Sequence, residues 1–105
     1  MSASRRYEIL LPLRFNDGEL VADDLIGLTM QELRLQFGAV TWETQVVRGL
    51  RQHEGEVFED DSMPLVVDVD DLPVNREFFR QFKERLKVRF RQIDIWMTTH
   101  TIDVV

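Results

Sequence analysis

The sequence predicts an α+β domain in which two helices cover one face of a four-stranded antiparallel sheet. Segments with alternating apolar residues and segments with apolar residues every three or four positions follow one another as strand, helix, strand, strand, helix, strand. The chain of 105 residues has the length of one domain, and such a chain buries roughly 60 to 70% of its unfolded surface. Its apolar fraction of 44% and charged fraction of 30% are typical of globular proteins. We therefore expect residues 1–105 to form a single domain.

The first strand is predicted over Tyr7–Phe15, where apolar residues alternate with others. Pro12 cannot donate a hydrogen bond to a neighbouring strand, so it implies an edge position or a bulge. A turn is predicted at Asn16–Gly18. A helix is expected from about Ala22 to Phe37, because apolar residues recur there at steps of three and four, and Gly38 suits the end of a helix.

The middle of the chain predicts two strands and a hairpin turn. The segment Ala39–Val47 predicts one long strand, because it alternates and is rich in β-branched and aromatic residues. Glu54 and Gly55 predict the turn at which the chain doubles back. The next strand is expected at Pro64–Asp70, and Glu59–Asp61 are expected to lie in the connection before it.

The C-terminal third predicts a second helix and a last strand. The segment Asn75–Arg91 has apolar residues at four-residue steps, and Asn75 is the expected N-cap. These apolar residues are Phe78, Phe82, Leu86 and Phe90. The last strand falls within Ile93–Val105, where Trp96 is expected to point away from the helices. The residues expected to face the helices are Ile93, Ile95 and Met97.

This order of elements is the split βαβ arrangement called ferredoxin-like, βαββαβ, here with a hairpin extension near residue 55. Its expected spatial order, 4-1-3-2, places the first strand at the centre of the sheet. That position conflicts with Pro12 unless a bulge or a late start of pairing removes the conflict.

Two stretches resemble known families. The C-terminal half, with Arg89-Phe90-Arg91-Gln92 between its last helix and last strand, resembles a bacterial family of small ferredoxin-like domains of unknown function; this resemblance implies a fold and no activity. The segment Phe15–Ile26 looks like the strand, turn and helix opening of small-molecule-sensing ACT domains. The second resemblance implies a ligand site at Asn16, Asp17 and Gly18, shared with a paired subunit.

Composition excludes several kinds of site. The chain has no cysteine, which excludes disulfides, a thiolate nucleophile and zinc sites that use cysteine. No cofactor is predicted. The longest apolar run is far shorter than the roughly 18 to 20 residues that span a bilayer, so we expect a soluble, cytoplasmic protein without a membrane partner.

Charge is distributed unevenly along the chain. The net charge is −6, with −9 in residues 1–75, +5 in residues 76–91 and −2 in residues 92–105. The average repels a phosphate backbone, so nucleic acid is not an expected partner. A basic stripe at helical spacing follows one side of the second helix, and it is interpreted as a solvated face. The stripe consists of Arg76, Arg80, Lys83 and Lys87.

Acidic residues crowd around the strand Pro64–Asp70. Asp68 and Asp70 are two residues apart on a strand and therefore point to the same face, which would suit a divalent cation with help from Asp60 or Asp61. This pattern leaves open a metal-dependent hydrolase or nuclease. The other interpretation is structural, because Asp is favoured in turns and before helices.

Histidine is the residue type whose charge changes near neutral pH, so the two histidines, His53 and His100, are candidates for general bases. No nucleophile elbow or HExxH pattern accompanies them. The interpretation favoured for both is that of surface residues outside any active site.

A tryptophan on the open face of a small sheet is rarely left in water, because exposed apolar patches usually mark an interface. Trp96 and Trp42 are the candidates for such an interface, together with Val40 and Thr44; the alternative places Trp42 under the helices. The leading hypothesis is a non-enzymatic homo-oligomer, a dimer in particular, that uses its sheet face for self-association or for a protein partner.

Overall fold

The computed structural model describes residues 3–105 and contains two helices and five strands. In chain order these are β1 (Ser4–Pro12), α1 (Asp23–Phe37), β2 (Thr41–Trp42), β3 (Val47–His53), β4 (Glu56–Asp70), α2 (Pro73–Arg89) and β5 (Met97–Ile102). All strand pairs are antiparallel, and the sheet order is β2-β4-β1-β5, with β3 also paired to β4. This confirms the predicted α+β fold and its 4-1-3-2 order. Within residues 3–105, neither helix is long and apolar enough to cross a bilayer.

The predicted long strand Ala39–Val47 is wrong, because the chain there forms two strands. Thr41 is paired with Val66, and Val47 is paired with Ser62. The chain advances by six residues from Thr41 to Val47, whereas the opposite stretch of β4 advances by only four, from Val66 to Ser62. The excess forms a bend between β2 and β3, and this bend gives the sheet its fifth strand.

The predicted connection at Glu59–Asp61 is also wrong, because these residues belong to the 15-residue strand β4. The first part of β4 pairs with β3, and β1 joins only from Ser62 onward. The hairpin of β3 and β4 around Glu54 and Gly55, which the sequence predicted, therefore projects beyond the rest of the sheet. The molecule measures 47 × 29 × 25 Å, and its radius of gyration of 14.4 Å exceeds the roughly 13 Å expected for a compact chain of this size.

Pro12 is compatible with a central first strand because it is the last residue of β1. The Leu10 N–H donates to the Trp96 carbonyl at the point where β5 begins. The backbone nitrogen two residues later points to the same edge, beyond the end of the β5 ladder, so a missing N–H breaks no strand pairing. The predicted extension of this strand to Phe15 is wrong, since Phe15 takes part in the turn that includes Gly18.

Helix α1 begins within one residue of its predicted start and ends at the predicted Phe37, whereas α2 is shifted toward the N-terminus. Asn75 is not the N-cap; Leu72 is, and Pro73 occupies a first-turn position at which a missing N–H breaks no helical hydrogen bond. The Asn75 side chain donates instead to the Asp70 carbonyl at 2.9 Å.

The core lies between the helices and one face of the sheet. Tyr7 of β1 stacks on Phe79 of α2 with ring centroids 3.8 Å apart, and Phe37 of α1 stacks on Phe79 from a centroid distance of 5.2 Å. Of the three residues predicted to face the helices from the last strand, Ile95 is buried and Met97 packs against the core, but Ile93 is exposed. The fully buried core residues include Ile9, Leu11, Leu33, Leu65, Val67, Phe82, Leu86 and Phe90.

Candidate functional site

The face of the sheet opposite the helices is open, and strand register shows which side chains lie on it. Residues that pair directly across antiparallel strands share a face. Leu10 lies between the buried Ile9 and Leu11, so its side chain points away from the helices. Pro64, which pairs with Leu10, and Trp96, whose carbonyl accepts the Leu10 N–H, therefore lie on the open face as well. We call one part of this face the apolar end; it consists of Leu10, Pro12, Pro64, Val66 and Trp96.

The other end of the open face is polar. The Arg6 guanidinium donates to both carboxylate oxygens of Asp68, at 2.8 and 3.0 Å. Hydrogen bonding from Arg6 holds the pKa of Asp68 below its usual value. His100 is in register with Arg6 and lies beside this pair.

The two acids of the metal hypothesis, Asp68 and Asp70, lie on the same face of β4, as alternation predicted. Both oxygens of Asp68 bind Arg6, however, so a cation at Asp68 would compete with a guanidinium. Within residues 3–105 no three His, Asp or Glu side chains are grouped as a metal site would need. The metal site stays a prediction from sequence.

The four residues predicted as an interface do not lie on one face. Trp42 is in register with Leu65, whose side chain is buried under the helices, and Val40 packs against the same core. Trp42 is nevertheless 47% exposed, at the margin of the helix side. Thr44 lies in the bend between β2 and β3. Only Trp96, which is 66% exposed, lies on the open face.

The projecting hairpin presents apolar side chains to solvent. Every residue of β3 is exposed, and Leu50 keeps 80% of its surface accessible. Val57, across the hairpin, is 66% exposed. One ion pair lies within the hairpin: Arg51 binds Asp60 at 3.0 Å, and its guanidinium lies 4.9 Å from the centroid of the Phe58 ring.

A cavity of about 330 Å³ lies on the open face, between the base of the hairpin and the apolar end. Its volume is at the lower end of the range of about 300 to 1,000 Å³ that is usual for ligand pockets. It is lined by apolar, aromatic, amide and charged residues that include Leu10, Pro12, Arg14, Phe15, Asn16, Gly18, Arg51, Phe58, Asp60, Asp61, Gln92, Asp94 and Trp96.

Of the three residues predicted to bind a small molecule, Asn16 and Gly18 line this cavity. The Asp17 carboxylate instead accepts the Glu19 N–H at 2.9 Å and stabilises the turn. Phe58 and Gln92 also line the cavity, and the sequence pattern did not predict either of them. The signal for Phe58 was available, because alternation along β4 places Phe58, Asp60 and Ser62 on one face once the strand is extended to Glu56.

A second, smaller cavity of about 170 Å³ adjoins the first. The two share Asn16, Arg51, Gln92 and Asp94, and the smaller one adds His53 and Ile93. His53 is the last residue of β3, beside the hairpin turn. The two cavities therefore lie side by side at the base of the hairpin.

The comparisons with known proteins give the fold and leave the family open. No protein-family model matches the sequence, and no curated protein matches it. A phage SAM lyase in complex with S-methyl-5'-thioadenosine is similar in structure, with a TM-score of 0.74 at 10% sequence identity, over 96% of this chain and 83% of that one. The divalent cation tolerance protein CutA1 from Thermus thermophilus has a TM-score of 0.65 at 16% identity, over 97% and 86%.

A third similar structure is the GlnK–ATP complex of B. subtilis, with a TM-score of 0.54 at 17% identity, over 97% of this chain and 84% of that one. At such identities the likeness shows only the fold. The chain is therefore a small α+β domain of the ferredoxin-like class.

Proposed function

We propose that this chain is a non-enzymatic module that associates with further copies of itself through the hairpin and the apolar end of the open face. The observation that supports this most directly is the projecting hairpin. The part of β4 before Ser62 pairs only with β3, so the hairpin there is a two-stranded ribbon. Such a ribbon is only marginally stable alone in water. Its exposed Leu50 and Val57 would gain stability from burial against a second surface.

A second copy of the chain is the proposed occupant, because each copy has both parts of such a contact. The hairpin is one part; the apolar end with the free edge of β5 is the other. Strand β3 has seven residues and β5 has six, so their lengths match. Because Arg51 and Asp60 pair within the hairpin, burying it leaves neither charge unpaired. A head-to-tail contact between two different surfaces gives a ring if its rotation closes and a filament if it does not, whereas a two-fold arrangement gives the predicted dimer.

Analytical ultracentrifugation of matched variants tests this proposal. Leu50→Asp changes the hairpin, and Leu35→Asp changes an equally apolar residue, 69% exposed, on α1. We expect the wild type to be oligomeric at micromolar concentrations. Leu50→Asp and Trp96→Ala should each weaken association by at least about ten-fold, which is equivalent to about 1.4 kcal/mol. Leu35→Asp should have no effect. A wild-type chain that is monomeric at high micromolar concentration, and unchanged by Trp96→Ala, would contradict the proposal.

The cavity supports a second candidate function, the binding of an adenosine-containing small molecule. It has the size of a small-ligand pocket and includes Asn16 and Gly18, which the sequence singled out for this role. Two of the structures with the same fold contain such molecules, S-methyl-5'-thioadenosine and ATP.

Calorimetry against adenosine, ATP and a panel of amino acids tests the second candidate. We expect heat from an adenosine compound, and we expect Asn16→Leu to reduce it. Asp17→Asn is the control from the same turn, because Asp17 does not line the cavity. Binding of an amino acid alone would support the ACT-like alternative instead, and no heat from any compound would contradict a ligand site here.

A further inference from the structure

We propose that the cavity selects an unphosphorylated purine nucleoside and rejects nucleotides. This inference rests on the second candidate function and adds the ligand class. It follows from the charges, the aromatic surfaces and the hydrogen-bonding groups of the cavity wall.

Carboxylates outnumber guanidinium groups in the cavity wall, and both kinds of charged group are already paired. Four carboxylates but only two guanidinium groups line the cavity. Arg51 binds Asp60 at 3.0 Å, and Arg14 lies 3.7 Å from Asp61. A phosphate binds tightly where cationic side chains without a carboxylate partner donate hydrogen bonds to it from several sides. The other carboxylates are paired as well, since Lys83 lies 3.1 Å from Asp94 and Arg48 lies within 4.0 Å of Glu59 and Asp61. A phosphate would therefore have to displace a carboxylate from a cation, within a chain whose net charge is −6.

Trp96 is the aromatic surface best placed to hold a purine ring. The two other aromatic rings in the wall each have a guanidinium over one face: Arg51 lies 4.9 Å from the Phe58 centroid, and Arg91 lies 4.5 Å from that of Phe15. Trp96 is 66% exposed on the open face beside the cavity. A planar base can stack on this ring, as bases do on aromatic side chains in nucleic-acid complexes.

The hydrogen-bonding groups of the wall are mainly acceptors. The Asn16 amide nitrogen donates to the Arg91 carbonyl at 3.4 Å, and that of Gln92 donates to the Phe90 carbonyl at 3.1 Å. Because each amide nitrogen already donates to a carbonyl, the amide oxygen is the atom of each side chain that can accept a hydrogen bond from a ligand. A ligand with several N–H and O–H groups fits such a wall, and a carboxylate is a common partner of ribose hydroxyls. Adenosine has an exocyclic amine and three hydroxyls, so it matches these acceptors without requiring a cation.

Tryptophan fluorescence gives a site-specific test. The chain has two tryptophans, so the Trp42→Phe variant leaves Trp96 as the only reporter. We expect adenosine to change Trp96 emission at concentrations at least about ten-fold lower than AMP or ATP require, at about 0.15 M salt. Calorimetry on the wild-type chain repeats the comparison without any substitution.

Asp60→Asn tests the cause of the selectivity. It removes one carboxylate and frees Arg51, so we expect AMP to bind several-fold more tightly while adenosine binds no better. Asp103→Asn changes the net charge equally at an exposed residue that does not line the cavity, and it should leave the preference unchanged.

The possible outcomes distinguish the selectivity against phosphate from the existence of the ligand site. If AMP or ATP binds as tightly as adenosine, the inference about charge is overturned while the ligand site stands. If none of the three changes either fluorescence or heat, the candidate function itself is overturned.

Discussion

At Asp68 both carboxylate oxygens accept hydrogen bonds from Arg6, a residue 62 positions away in the chain. Alternation along the strand identified the face on which Asp68 lies, but it could not identify the residue opposite. That partner depends on the pairing of β1 with β4, in which Arg6 is in register with Asp68. A carboxylate that looked available to a cation is instead half of a fork-like ion pair.

This ion pair makes part of the stability depend on pH. Because the pKa of Asp68 is lowered in the folded chain, its contribution is present above the ordinary value of 3.8 and is lost as pH falls through the lower folded value. We expect wild-type chain to lose more unfolding free energy than Arg6→Gln between about pH 5 and about pH 2, measured by urea denaturation. The difference should be small, since both side chains are 41% exposed and therefore screened.

Arg76→Gln is the matched control for that experiment. Arg76 also lies on the surface, and within residues 3–105 it is not part of any ion pair. Its removal should leave the pH dependence as in the wild type. Parallel curves for the wild type and Arg6→Gln would show that the Asp68 pKa is not lowered by Arg6.

The hairpin shows how far the sequence could predict an element. Its turn was predicted correctly from Glu54 and Gly55. Its length was not, because acids such as Asp60 are depleted in strands and suggested a connection. In the structure the opposite strand supplies Arg48 and Arg51, which pair with those acids. Charge pairing across the strands thus outweighs the low strand propensity of single acidic residues. Such pairing cannot be predicted from the sequence before the register of the strands is known.

Helices were predicted more closely than strands for a related reason. The pattern of α1 is local, so its end at Phe37 could be read from spacing and from Gly38. The break between β2 and β3 depends instead on how many residues of β4 lie opposite, and no local pattern reports that number. The candidate site was predicted in part, through Asn16 and Gly18, because a turn is local; its other walls come from distant segments.

The turn of the hairpin gives a prediction at the level of the element. Glu54 and Gly55 both have positive φ, 50° and 83°, as a two-residue type I′ turn requires. An alanine at the second position suffers the left-handed strain, so Gly55→Ala should destabilise the hairpin by about 1 to 2 kcal/mol. Glu54→Asn should stabilise it, since Asn adopts this conformation more readily. Hydrogen exchange of the β3 amides measures both effects.

Gly49→Ala is the control within the same hairpin. Gly49 does not have positive φ, and a methyl group added there meets no atom within 4 Å. Exchange in β3 should therefore not accelerate. If Gly55→Ala protects the β3 amides as well as Gly49→Ala does, the assigned turn conformation is incorrect.

At the scale of the whole molecule, the uneven charge along the sequence is largely balanced within the fold. Along the basic stripe of α2, Arg80 pairs with Glu77, Lys83 with Asp94 and Lys87 with Glu84. At the inner side of the same helix, Arg89 binds Glu32 of α1 and donates to the buried Thr29 hydroxyl at 2.9 Å. The stripe that could have met an acidic surface of another copy therefore has most of its partners inside its own chain.

This internal pairing predicts how salt affects self-association. Two copies with a net charge of −6 repel each other, and a contact through apolar residues has no long-range attraction to offset that repulsion. Raising ionic strength from about 0.1 to 1 M shortens the screening length from about 10 to 3 Å, so association should become tighter by a few-fold. If the basic stripe were the contact, the same change would weaken association. Sedimentation equilibrium at several salt concentrations measures whether salt strengthens or weakens association.

Two substitutions that each remove one positive charge separate these contacts further. Arg76→Gln lies on the basic stripe of α2, and Arg34→Gln lies in the last turn of α1. Association through the hairpin and the apolar end predicts the same slight weakening for both at low salt, because only the net charge has changed. It also predicts that both differences disappear near 1 M, where exposed charges are screened. Weakening by Arg76→Gln alone, at every salt concentration, would place the interface on α2 and contradict the contact through the hairpin.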